Sequence, residues 1–208
     1  MDNFFPSDKK VSLKEFLNDY SERLNQSLIN IDESSLDKAF SALKGAIQNK
    51  AAIYTCGNGG SSAIAEHLVC DFLKGASTDS TIDPKVVPLL STPLITALAN
   101  DLSYDKVFSY QLEKYAENGD ILLSVSSSGD SANIINAIRA AKELGVTSLS
   151  FVGFDGGRAS KESDISLHVS SLNYGIVEDA HHSLMHIFAQ YLRLQMIDDD
   201  EKLGKIKF

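Results

Sequence analysis

The chain has 208 residues, of which 43% are hydrophobic and 23% charged, and it carries a net charge of −9. That composition is globular, its acidic balance disfavours generic binding to DNA or RNA, and no apolar run reaches the ~18 residues that a membrane helix requires. The stretch Met1 to Lys10 has no apolar core of signal-peptide length, and the two cysteines, Cys56 and Cys70, are too few for a disulfide framework. Both read as buried thiols, which makes the cytoplasm the expected compartment.

From Ser12 to Lys50 the pattern is helical. Phe16, Tyr20, Leu24, Leu28 and Ile31 recur at three- and four-residue spacing, and Leu36, Phe40, Leu43 and Ile47 repeat it. Asp32 and Ser34 supply capping groups between the two runs. Neither helix can bury its apolar stripe alone, so each must pack on the core or on another subunit. Ala51 to Cys56 then predicts a buried strand, Ser61 to Leu73 a helix, and Lys85 to Leu90 a strand. Ile95 to Ala116 predicts helix interrupted near Asp101. Asp120 to Ser126 and Val146 to Gly153 predict strands around a helix over Ala132 to Leu144. Asp164 to Ser170 predicts a last strand, Ile176 to Met196 a long helix, and residues 198–208 a charged, fraying tail.

Continuous apolar strands alternating with helices predict a parallel sheet covered on both faces: a three-layer α/β fold with two extra N-terminal helices. No linker or internal repeat divides residues 1–208, so a single domain is expected, with residues 1–50 as a helical extension. In such sheets ligands bind beyond the carboxyl ends of the strands.

Two loop motifs fall at those ends. Cys56-Gly57-Asn58-Gly59-Gly60-Ser61-Ser62 joins the first strand to its helix. Its glycines let the backbone approach a ligand, and the helix start offers unpaired N–H groups to an anion. A plain turn with a serine cap would also read this way. A dinucleotide fingerprint is approximated by Gly57-x-Gly59-x-x-Ser62, but the third glycine is missing and no acidic residue clearly ends a second strand. Ser126-Ser127-Ser128-Gly129-Asp130-Ser131-Ala132-Asn133 opens the helix after the Asp120 strand. Its hydroxyls and helix-start amides can hold a phosphate without lysine or arginine. A serine-rich cap is the bland alternative, and the pairing of the two motifs favours the anion site.

A third constellation lies on helices. His67 and Asp71 are four residues apart and share a face. Glu178 and His186 are eight apart, just over two turns. Such groups suit a divalent metal such as zinc, and equally suit proton transfer beside a carbonyl. They could also be a hydrogen-bonded pair and an exposed polar helix start. Glu178, His182 and His186 form a competing metal-ligand spacing, although Glu178 with His186 is the preferred choice over His182. His168, near a strand end, reads as structural.

The two loop motifs resemble the sugar-isomerase (SIS) domain, and within it the phosphoheptose isomerase group. The similarity runs on through Asn100-Asp101, Phe108, Gln111 and Gly119-Asp120-Ile121-Leu122 into the last helix, and covers about the whole chain. The resemblance implies a flavodoxin-like sheet, a phosphate site at Ser126, Ser127, Ser128 and Ser131, and sugar contacts from Asn58, Gly59, Gly60, Ser61, Asn100 and Asp101. It implies zinc on His67, Asp71, Glu178 and His186, with Asp71 and His186 in acid–base roles and Asp71 and Glu178 also touching substrate. Two of those four positions depart from the family, which has glutamate at 71 and glutamine at 178. The resemblance also implies a homotetramer with shared sites, in which the last helix can complete a neighbour's site. It leaves three functions open: sedoheptulose 7-phosphate isomerase, a binder that has lost catalysis, or an isomerase of another sugar phosphate. No nucleotide cofactor is expected.

Overall fold

The computed structural model describes residues 5–6, 8–78 and 80–197; the charged tail expected over residues 198–208 lies outside them. Two helices lead, α1 (Leu13–Ile29) and α2 (Glu33–Gln48). Ser12 and Glu15 form a reciprocal capping box on α1, and the Asp32 carboxylate accepts from Ser35 N–H at 2.8 Å to start α2. Helix α2 buries Ala39, Leu43, Ala46 and Ile47, whereas α1 buries none of its residues.

Then come β1 (Ala52–Gly57), α3 (Gly60–Cys70), a π-helical turn (Asp71–Ala76), β2 (Lys85–Pro88) and α4 (Thr92–Asp101). A short 3₁₀ turn (Tyr104–Lys106), α5 (Ser109–Tyr115), β3 (Ile121–Ser126), α6 (Ala132–Leu144) and β4 (Thr147–Val152) follow. The chain closes with α7 (Ala159–Glu162), β5 (Ile165–His168) and α8 (Tyr174–Met196). All strands pair in parallel, in the order β2-β1-β3-β4-β5. Every residue of β3 is buried, which is why its sequence is mostly apolar, with small serines, rather than alternating. Its one mid-strand hydroxyl, Ser124, bonds Ser150 at 2.7 Å, so the buried polar group is satisfied.

The core is continuous from α2 through the sheet to α8, and Phe72, Phe108 and Phe151 are among its largest fully buried side chains. Burying each such ring contributes roughly 1.5–3 kcal/mol. At the base of the sheet, the Asp120 carboxylate accepts from Ala52 N–H at 2.7 Å and Glu117 N–H at 2.8 Å, tying β1 to the entry of β3.

Three expectations change. Cys56 is buried, but Cys70, the last residue of α3, is exposed. Leu68, Val69 and Phe72 nearby in sequence are apolar, yet the position of Cys70 on α3 faces outward. The helix expected over Ser61 to Leu73 ends at Cys70 and widens into the π turn, and α7 is an additional short element. Arg193 of α8 donates to the Gly75 carbonyl, satisfying an acceptor that the end of the π turn would leave open. No helix among the described residues is long and apolar enough to cross a membrane.

Candidate functional site

The order 2-1-3-4-5 reverses direction between β1 and β3, and a crevice opens outside their carboxyl ends. Gly57 is paired with Val125 in register, so the glycine turn and the serine loop leave the sheet side by side. They enclose a cavity of about 290 Å³ lined by Asn58, Gly59, Gly60, Ser61, Ser126, Ser127, Ser128 and Ser131, together with Tyr174 and Glu178 of α8. No lysine or arginine lines it.

Local geometry suits an anion. Helices α3 and α6 both start at this cavity, and neither carries a side-chain cap. Orphan N–H groups at such starts, with the dipole behind them, favour a phosphate. The Ser127 hydroxyl is buried and has no hydrogen-bond partner. An orphan hydroxyl in a loop of this kind is a donor waiting for a ligand acceptor. Gly129 turns the loop at φ +65°, and a Cβ there would run into the Gly156 backbone. The segment after β4 clasps the loop through Gly153 N–H to Ser127 O (3.1 Å), Ala159 N–H to Gly129 O (2.8 Å) and the Arg158–Asp130 ion pair (2.9 Å). That pair holds the Asp130 carboxyl below its ordinary range, chiefly through the Arg158 side-chain hydrogen bond. Asn58 and Asn133 exchange amide hydrogen bonds at 2.9 Å in both directions, and Tyr104 donates to Asn58 at 2.9 Å.

Below the cavity, α3 and α8 pack together and present a histidine cluster. The His67, His182 and His186 rings offer nitrogens that all lie within 4.8 Å of one another. Asp71, 8% exposed, accepts from His186 Nδ1 at 2.5 Å and lies 3.5 Å from His67 Nε2. His182 Nε2 is 2.8 Å from His67 Nδ1. Burial, then the neighbouring His67 and His186, hold the pKa of His182 below the usual imidazole value. A neutral ring is the form that binds a metal. Three imidazoles and a carboxylate are the donor types that a zinc-like divalent ion takes, so the residues fit such an ion.

His67, Asp71 and His186 are thus brought together within one chain. Glu178 stands one turn of α8 above His182, at the anion cavity against Gly60, where a Cβ would lie 2.7 Å from its carboxylate. Asn100 and Asp101 end α4, exposed and hydrogen-bonded to each other at 2.8 Å, and do not line the cavity. Phe108 is core, and the buried Gln111 amide donates to Val107 O at 2.7 Å and Leu89 O at 3.2 Å, both structural contacts. His168 faces Phe154 O at 2.9 Å. Sequence reasoning did not single out Tyr174 or Tyr104; Tyr174 follows the Asn173 cap of α8, and Tyr104 opens an uncapped 3₁₀ turn.

A parallel sheet of this order with a lysine-free anion crevice at its switch point defines an anion-binding α/β protein. Residues 15–153 match the SIS domain, and the chain belongs to that family. Within the family it is similar to the phosphoheptose isomerases. It is 33% identical to the phosphoheptose isomerase of Aliarcobacter butzleri over 192 residues, 92% of this chain and 98% of the relative. The structure of a phosphoheptose isomerase from Francisella tularensis superposes with a TM-score of 0.80 at 25% identity, over 88% of this chain and 100% of that one. The corresponding structure from Neisseria gonorrhoeae gives 0.79 at 29% identity, over 87% and 98%.

Proposed function

We propose that this chain is an aldose–ketose isomerase of a phosphorylated sugar, converting sedoheptulose 7-phosphate to D-glycero-D-manno-heptose 7-phosphate. The observation that carries the proposal is the Asp71–His186 pair, hydrogen-bonded at 2.5 Å, set at the start of the π turn after α3 and on α8, beneath an anion cavity. The relatives that share this fold over nearly their full length are named phosphoheptose isomerases.

The serine loop and the starts of α3 and α6 hold the phosphate by N–H and O–H donation. This anchors the far end of the sugar and sets its carbonyl toward Asp71 and His186. The open-chain ketose has its carbonyl at C2. One of the paired groups takes a proton from C1, and the electron pair of that C–H bond forms the C1–C2 double bond of an enediol as the C2 oxygen gains a proton. Returning a proton to C2, while the C1 hydroxyl loses one, leaves the aldehyde at C1. C1 is oxidised and C2 reduced within one molecule, so the balance calls for no nucleotide cofactor. Asp71, hydrogen-bonded to His186 Nδ1, orients the imidazole and fixes its tautomer. A divalent ion such as zinc, held by His67, Asp71 and His186, would polarise the substrate oxygens as a Lewis acid.

An assembly of four copies accords with the uncovered face of α1, where Leu13, Leu17 and Ile29 are exposed. Light scattering on the purified protein tests it. The cytoplasm is the compartment in which such a substrate is met, and the net charge of −9 disfavours nucleic acid as a partner. The whole described chain acts as one domain in this reading.

The deciding experiment follows aldose phosphate formation from sedoheptulose 7-phosphate by NMR, wild type beside His186→Ala. Turnover that falls by about 10²–10⁴-fold in the variant supports the reading. Binding without turnover in the wild type would replace it with a phosphosugar-binding role.

A further inference from the structure

Helix α8 carries Glu178, His182 and His186 on successive turns facing α3. We infer that His182, and not Glu178, completes the metal centre with His67, Asp71 and His186, and that Glu178 belongs to the sugar cavity. The inference rests on the metal-assisted isomerase reading above and specifies the metal site that this chain builds.

Three observations carry it. The first is convergence. His182 and His186 stack at 5.2 Å with an interplanar angle of 16°, and His67 meets both edge-on, at 4.9 and 5.0 Å. Nitrogens of all three rings fall within 4.8 Å, the spacing of groups that share one ion. The second is reach. The Glu178 carboxylate sits against Gly60, where a Cβ would be 2.7 and 2.8 Å from its two oxygens. Gly60 precedes His67 by seven residues, so Glu178 lies about 10 Å of helix rise away from the level of His67. The absence of a side chain at Gly60 makes the room that keeps the carboxylate there. The third is chemistry. Glu178 lines the cavity with Asn58, Ser61 and the serine loop, where a carboxylate accepts hydrogen bonds from sugar hydroxyls.

The exchange changes the charge of the centre. Asp71 and Glu178 with two imidazoles would neutralise a 2+ ion. Asp71 with three imidazoles leaves one net positive charge to pull on substrate oxygens. Nitrogen-rich ligation also selects zinc-like ions over magnesium or calcium, which prefer oxygen.

The test is made on metal-free protein titrated with Co²⁺, read by the visible ligand-field bands and by competition with a chelator. His182→Leu is expected to weaken Co²⁺ and Zn²⁺ binding by at least about tenfold and to change the bands, while Glu178→Gln holds affinity to within about twofold. His182→Asn keeps a hydrogen-bonding group toward His67 without the imidazole; it must weaken binding as well, and it carries the test if His182→Leu does not fold. Loss of metal by Glu178→Gln with His182→Leu unaffected overturns the inference, as does full affinity in His182→Asn. Wild-type protein that binds neither ion overturns it too. Sedoheptulose 7-phosphate turnover, followed separately on the same samples, shows whether the isomerase reading stands when this one fails.

Discussion

The anion cavity and the histidine cluster are built on opposite plans. The cavity is made of backbone: two loops of adjacent strands, two uncapped helix starts and short hydroxyl side chains whose positions the main chain dictates. The cluster is made of side chains that meet only because two helices, more than a hundred residues apart in sequence, pack in one register. A backbone site is written locally and tolerates change only where the main chain does. A side-chain site depends on tertiary packing and can exchange ligands one turn along a helix without disturbing the fold.

The largest expected effect beyond the turnover loss in His186→Ala concerns the two faces of α8. His181 stands next to His182 but points inward, with its ring against Phe151. Burial lowers its pKa from 6.5 to about 4. Between those values the unfolded chain binds more protons than the folded one. Stability is therefore full above pH 6.5 and falls as the pH drops toward 4, by on the order of 3 kcal/mol. Urea midpoints at pH 7, 5.5 and 4.5 measure this, and His181→Leu should flatten the acid limb. An unchanged acid limb in that variant would place the acid sensitivity in the outward-facing cluster.

Next is Gly129→Ala. The added methyl meets the Gly156 backbone, and φ of +65° is strained for alanine. A loss of roughly 1–3 kcal/mol is expected, visible as a lower Tm together with weaker sugar phosphate binding. Metal affinity should not move. If it does, the two regions are coupled and the contrast between them fails.

Ser127→Ala has a smaller effect of a different kind. Its hydroxyl is buried without a partner, so deleting it should change Tm little while raising KM by about 10- to 150-fold, the worth of one hydrogen bond to a charged group. An unchanged KM would remove Ser127 from the phosphate contacts. Arg158→Gln is the mildest. Both partners of the Arg158–Asp130 pair are about half exposed, at 50% and 53%, so the pair contributes under about 1 kcal/mol. Chemical denaturation in low and high salt reads the difference, which should shrink as salt screens it.

The contrast also explains what the sequence makes legible. Strands and helices follow from apolar runs and periodicity. The glycine turn and the serine loop are contiguous, so each reads directly as an anion motif. Pairing His67 with Asp71 needs only helix geometry. Choosing between Glu178 and His182 needs the relative height of α3 and α8, which no spacing within one helix contains. The π turn at Asp71–Ala76 is likewise invisible to a 3.6-residue period, because it breaks that period over six residues. Asn100 and Asp101 match the family motif in sequence, yet they lie outside the cavity of their own chain.

The pairing of Gly57 with Val125 has a consequence for the life of the molecule. Each wall of the crevice comes from a different half of the chain, so the complete site exists only once β1 and β3 have paired. A polypeptide that has formed β1 and β2 but not β3 has nothing to bind. Sugar phosphate is thus a partner of the finished fold only, and adds RT ln(1 + [L]/Kd) to its stability. Proteases act on the open state, whose population shrinks by the same factor. The survival of this protein against degradation is in this way tied to the supply of the sugar it consumes.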